Sequence, residues 1–381
     1  MRGKVKKLVL VLIILLIIAL AVLAVVYYMH GIYYKTYKIV KSTDRKESNA
    51  SCYQSYNKKL LKYSKDGITV YDDSLKAVYN SSYDMSNPKV DICGKYIVVA
   101  DIGGKTAYVY DGKKDGKVIN TDYEIQLARV SANGVVALLL SEKSSNIINM
   151  YNPYSESEKL LVQIPTNVSN GYPVDVDISP NAENVAVCYM VMNSGKIGSN
   201  ITFYDFSDVG KNNNYLVGVK DYSDRMVADV EYINKNYLYA FDDKGITIFK
   251  DMKSPKKDRE YRTKKTIKSV VYSDKYCGVI TRDKGESSSV NVKVYSYKGK
   301  VMLDKKMHID YEDVYITKDK LVFVTGRKVQ VYKLNGTLQF KEVFDDKLFN
   351  FLPGKSGTNY FLVNEKKIQN IKLKMISKAL I

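Results

Sequence analysis

From residue 47 onward the chain is built from short runs in which apolar and polar positions alternate. One run recurs with an aromatic near its end. It reads ITVYD at Tyr71, AYVYD at Tyr110, INMYN at Tyr151 and ITFYD at Tyr204. It continues as ITIFK at Phe249, VKVYS at Tyr295, VQVYK at Tyr332 and, most degraded, IQNIK at Ile371. Period-two alternation over four to eight residues, bounded by Gly, Asn, Asp and Ser, predicts half-buried strands and tight hairpins. Most copies are preceded by two apolar runs about a polar turn, as in VDICGKYIVVA from Val90 and VEYINKNYLYAF from Val230. A further turn and strand follows the aromatic, as in YKGKVMLD over Tyr297–Asp304. No stretch beyond the N-terminus keeps a helical period over three turns.

Four short antiparallel strands in about 43 residues is the unit of a β-propeller. A single four-stranded sheet cannot bury both apolar faces; a copy packed on each side does so, and closing the ring protects its edges. The expected fold is therefore all-β, an eight-bladed β-propeller, with seven blades as the alternative if the weak copy at Ile371 is only a tail strand. Either Lys35–Val40 or Met375–Ile381 could supply the last outer strand, and the sequence does not choose between them.

The N-terminus follows a different pattern. Residues 2–7 carry four cations and no acid, and Leu8–Val26 is an unbroken apolar run followed by Tyr27, Tyr28 and Met29. At about 1.5 Å per residue such a run spans a hydrocarbon layer about 30 Å thick, and tyrosines suit its interface. Cleavage after Ala19-Leu20-Ala21, as in a secretory signal, is the competing reading. The expected division is a basic cytoplasmic tail over 1–7, a transmembrane helix over 8–29, a juxtamembrane linker over 30–46 and an extracytoplasmic propeller over 47–381. Basic flanks stay cytoplasmic, which puts the C-terminal region outside the cell membrane of a single-pass protein.

The formal net charge is +18, and only eight of the 59 basic residues are arginine. Nucleic-acid readers favour arginine for bidentate contacts, so this lysine excess argues against a nucleic-acid partner. Anionic wall polymers or lipid headgroups are the polyanions available outside a cell. Lysine on strand edges that discourages sheet-to-sheet association is the alternative use. Abundant Lys, Asn, Ile and Tyr with no Trp is the bias of AT-rich codons and suggests a low-GC bacterial source.

The run DISPNAENVAV, Asp177–Val187, resembles the strand-turn-strand of quinoprotein-like and WD-repeat-like propellers. With its basic N-terminus and single apolar helix, the whole plan also resembles a clostridial membrane-anchored propeller family of unknown function. The absence of Trp removes both the Trp-Asp signature and the tryptophan docking of true quinoproteins, so no quinone or other cofactor is expected.

Candidate chemistry is sparse. There are two histidines, His30 and His308, too far apart in sequence for a metal pair. The cysteines Cys52, Cys93, Cys188 and Cys277 have no metal spacing; Cys52 and Cys93 could pair in an oxidising compartment. Asp91, Asp175, Asp177 and Asp229 fall on or beside innermost strands, where two close carboxylates could run glycoside hydrolysis or simply hydrate a channel. Tyr83, Tyr123, Tyr172, Tyr222 and Tyr311 lie in links between successive blades. There they could form a stacking rim for sugar or peptide, or pack as wedges between blades. The function expected is a non-catalytic binding or scaffolding module at the bacterial envelope, with a protein, peptide or glycan partner. An envelope enzyme acting on glycan through channel carboxylates is the alternative.

Overall fold

The computed structural model describes residues 11–22, 32–45, 51–113, 116–142, 145–156, 159–166, 171–193, 195–211, 214–286 and 288–375. Residues 11–22 are helical. The basic tail, the flanks of the expected membrane helix and His30 lie outside the described residues. Among the described residues no helix is long and apolar enough to cross a membrane.

The described strands form eight four-stranded antiparallel sheets, the blades of one propeller. Blades 1 to 7 each take four consecutive strands, from Cys52–Tyr56 in blade 1 to Leu338–Val343 in blade 7. The innermost strands are Cys52–Tyr56, Pro88–Cys93, Glu124–Val130, Tyr172–Ile178, Val227–Asn234, Thr266–Tyr272, Asp313–Thr317 and Leu348–Pro353. Blade 8 holds Leu348–Pro353, Asn359–Asn364 and Lys367–Lys374, and Thr36–Asp44 completes it as the outer strand. This strand runs antiparallel to Lys367–Lys374, from Thr36 opposite Lys374 to Asp44 opposite Lys367, with a bulge between Ile39 and Lys41.

The ring is thus closed by the N-terminal segment. Within the expected linker 30–46, Thr36–Asp44 is a blade strand, so the propeller begins before residue 47. Two further contacts seat the segment: Tyr34 N–H donates to Gln339 O at 2.7 Å and Arg45 N–H to Lys366 O at 2.7 Å. The weak copy at Ile371 is a blade strand with Ile371 fully buried, which rules out seven blades.

Side-chain alternation builds the core. On the second strand of blade 2, Ile97 and Val99 pack toward blade 1 with Leu61, Ile68 and Val70. Val98 and Ala100, on the opposite face, pack toward blade 3 with Val136 and Leu138. A strand buried on both faces reads as a continuous apolar run, as IVVA does here. The same arrangement recurs around the ring, with one apolar cluster at each junction of neighbouring blades. The cluster of Tyr53 and Leu60 with Phe361, Val363 and Ile368 closes blade 8 onto blade 1. Turn chemistry supports the pattern where strands double back tightly. Gly67 has φ +150°, and a Cβ there would lie 2.3 Å from Ser81 O.

Candidate functional site

The innermost strands of blades 2 to 5 bring one charged cluster together on a single arc of the channel wall. Asp91 comes from blade 2, Arg129 from blade 3, Asp175 and Asp177 from blade 4, and Asp229 and Glu231 from blade 5. Asp175 and Asp177 are two residues apart on one strand, as are Asp229 and Glu231, so each pair shares a strand face.

These groups link adjacent blades. Val130 N–H donates to Asp91 Oδ2 at 2.7 Å, joining blades 2 and 3. Arg129 Nη2 lies 2.9 Å from Asp175 Oδ1 and Arg129 Nε 3.9 Å from Asp177 Oδ1, joining blades 3 and 4. Val230 N–H donates to Asp175 Oδ2 at 2.9 Å and Tyr232 N–H to Asp177 Oδ2 at 2.6 Å, joining blades 4 and 5. Neutral groups do the same elsewhere in the ring. Ser55 Oγ donates to Pro353 O at 3.0 Å, Tyr56 OH to Lys95 O at 2.7 Å, and Tyr315 OH to Phe351 O.

Five carboxylates around one guanidinium cannot all be ionised out of water. Burial pushes the Asp175 carboxyl up to about 7 against the pull of Arg129, with the Asp229 charge adding to the rise. Burial raises Glu231 to about 8, helped by Asp229 and Asp91. Asp177, Asp91 and Asp229 are also raised, in each case chiefly by burial. Asp175 and Asp229 influence each other's protonation, so they titrate together rather than independently. Burial, then Asp91 and Asp177, pushes the neighbouring Cys93 thiol up to about 12 and keeps it out of thiolate chemistry. Among the described residues no group of three or more His, Cys, Asp or Glu side chains has the geometry to hold a metal ion. All four cysteines are free, so Cys52 and Cys93 do not pair, and His308 is exposed beyond its strand.

The tyrosines divide. Tyr83, Tyr222 and Tyr311 are buried in the apolar clusters between blades 1 and 2, 4 and 5, and 6 and 7. They cannot take part in an exposed rim, because the links at Tyr83 and Tyr311 and the strand end at Tyr222 put their rings into the wedge between neighbouring sheets. Tyr311 OH donates to Ser269 Oγ at 2.9 Å from that position. Tyr123 is half-buried and donates to Glu142 Oε1 at 2.7 Å. Tyr172 alone of the five is open, at 53% exposure.

Sequence reasoning placed the four aspartates on inner strands and passed over Arg129 and Glu231. Signals for both were present. Arg129 is a lone arginine inside the apolar run LARV, and Glu231 repeats the Asp-x-Asp alternation of Asp175 and Asp177 at Asp229-x-Glu231. Away from the channel, a groove of about 260 Å³ between blades 5 and 6 is lined by Tyr261, Arg262, Lys265, Lys293 and Tyr295. Its cations are already paired, Arg262 with Asp242, Lys265 with Asp283 and Lys293 with Asp304.

The solved structures that resemble this chain confirm the architecture at low sequence identity. Sqt1 of Chaetomium thermophilum, bound to the N-terminus of the ribosomal protein L10, is 12% identical with a TM-score of 0.57. The match covers 88% of this chain and 100% of Sqt1. BamB of Moraxella catarrhalis is 13% identical with a TM-score of 0.52, over 88% of this chain and 100% of BamB. No curated protein matches the sequence. Residues 30–373 match the model of a family of unknown function, DUF5711, and the chain belongs to that family.

Proposed function

We propose that this chain is a membrane-anchored, extracytoplasmic propeller that works as a non-catalytic binding or scaffolding module at the bacterial cell envelope, with a protein or peptide partner. The observation that carries the reading is how the channel carboxylates are used. Asp91, Asp175 and Asp177 each accept a backbone N–H from the next blade. A glycoside hydrolase needs two carboxyl groups facing its substrate, roughly 5–9.5 Å apart, with one free to act as acid and the other as base or nucleophile. Here they hold blades together. Anchoring is supported by the apolar run Leu8–Val26, which the four-cation tail orients. A binding role is supported by analogy of fold: the Sqt1 structure shows a comparable fold holding a peptide segment, and a rigid ring presents its loops on two rims.

The test is in-cell photo-crosslinking of the full chain, with the photoreactive residue placed at Tyr172 or at the exposed Lys235 turn. Those positions lie at the opposite ends of their strands. A discrete protein adduct from one position and not the other is expected; no adduct from either position would end the binding reading.

A further inference from the structure

The closing blade carries an unbalanced basic face. Lys38 on Thr36–Asp44 stands directly opposite Lys372, and Thr36 stands opposite Lys374. Register and alternation therefore put Lys38, Lys372 and Lys374 on one face of the outermost strand pair. All three are exposed, and among the described residues none is ion-paired. Some lysines elsewhere in the ring do have acidic partners: Lys293 with Asp304, Lys306 with Glu286 and Lys366 with Asp346. Like charges set directly across a strand pair repel, so Lys38 opposite Lys372 carries an electrostatic cost.

The three lysines open onto a groove of about 620 Å³, whose lining also includes Tyr34, Val40 and Met375. Val40 and Met375 are each 50% exposed. Cations interleaved with exposed apolar side chains are the chemistry of a surface that meets lipid headgroups and the edge of the acyl layer.

Chain length indicates which surface this face meets. Only nine residues, 27–35, separate the end of the apolar run at Val26 from Thr36, ten steps along the chain. Fully extended, such a segment reaches at most about 35 Å. The outer strand of blade 8 is therefore the part of the ring tethered closest to any bilayer that Leu8–Val26 crosses. We infer that the face formed by Lys38, Lys372 and Lys374 with Val40 and Met375 docks onto the anionic phospholipid headgroups of the membrane that holds the anchor. This deepens the anchored reading above and rests on it. The contact orients the ring on the membrane, because the closing blade is held down and the opposite side of the ring points away.

Amine acylation footprinting of the full chain, reconstituted in bilayers, tests this. Phosphatidylcholine alone is compared with phosphatidylcholine containing phosphatidylglycerol. In the anionic bilayer, acylation of Lys38, Lys372 and Lys374 is expected to fall by roughly threefold or more, with recovery in high salt. Lys293 serves as the internal reference and should not change. Equal labelling of the three lysines in both bilayers, in a chain that floats with the vesicles, overturns the docking surface and leaves the anchor standing. A chain that does not float with the vesicles overturns the anchor and the docking surface together. Soluble poly(glycerol phosphate) protecting the three lysines in the neutral bilayer, as fully as phosphatidylglycerol does in the anionic one, would assign the face to a wall polymer and overturn the lipid assignment.

Discussion

Replacing Arg129 by Met removes the one cation from a cluster of five buried or half-buried carboxyl groups. Its guanidinium lies 2.9 Å from Asp175 and 3.9 Å from Asp177, and it also lowers the carboxyls of Asp91, Asp229 and Glu231. Breaking a buried charge pair from one side costs about 3–5 kcal/mol, because the remaining charge has lost its partner. The carboxylates can escape that cost by taking up protons, so the loss depends on pH. At pH 8 the cost should be near the full 3–5 kcal/mol; at pH 5, where Asp175 and Glu231 are protonated, about 1–2 kcal/mol should remain from lost hydrogen bonds and packing. Unfolding entropy of about 2.1 cal/mol/K per residue, over roughly 340 residues melting together, is about 0.7 kcal/mol/K. A loss of about 4 kcal/mol then lowers Tm by roughly 6 °C. Differential scanning calorimetry of Arg129→Met and its parent at pH 5 and pH 8 reads both quantities. The further change Asp175→Asn, made in the Arg129→Met chain, should recover part of the loss at pH 8. A variant melting within a degree of its parent at pH 8, or a loss of equal size at both pH values, would refute the reasoning.

The remaining predictions follow from the same contacts. In the unaltered chain Asp175 and Glu231 hold protons in the folded state, with values of about 7 and about 8, that they release on unfolding above roughly pH 4. Their contribution is fully present below the unfolded values and is lost as pH rises through the folded ones. Stability should therefore fall by about 2 kcal/mol per pH unit between pH 5 and 7, read from denaturant midpoints; a rise with pH over that range would contradict it. Deleting Thr36–Asp44 strips the outer strand from blade 8 and should cost the ring its single sharp transition, whereas an unchanged melt would show that closure lies elsewhere. Tyr222→Ala and Tyr83→Ala should each cost about 3 kcal/mol or more, as for other buried aromatics, while the exposed Tyr172→Ala should stay within about 0.5 kcal/mol. Comparable losses at all three positions would contradict the placement of these rings.

The blades were legible in the sequence because period-two alternation and turn residues are local signals, and each blade repeats them. Ring closure was not. Lys35–Val40 and Met375–Ile381 read equally well as an edge strand, and the choice depends on register against Lys367–Lys374, which no local pattern encodes. The aspartates show the same division. Their place on inner strands followed from alternation, but their partners are backbone N–H groups one blade away, at Val130, Val230 and Tyr232. Tyr83, Tyr123 and Tyr311 lie in inter-blade links, whereas Tyr172 opens an inner strand and Tyr222 ends an outer one, and these two carry the same sequence signal yet differ between open and buried. What separates them is whether the strand end falls inside the wedge between two sheets, as Tyr222 does, a property of the assembled ring.

Topology tests the central claim most directly. In cells making the full chain with a reporter enzyme appended to the C-terminus, protease is added outside before and after the membrane is permeabilised. On the proposed topology, with the four cations ahead of Leu8–Val26 inside, the ring should be open to protease in intact cells, and an appended alkaline phosphatase should be active. A ring protected until permeabilisation, with a phosphatase that stays inactive, would place the propeller on the cytoplasmic side and contradict an envelope role.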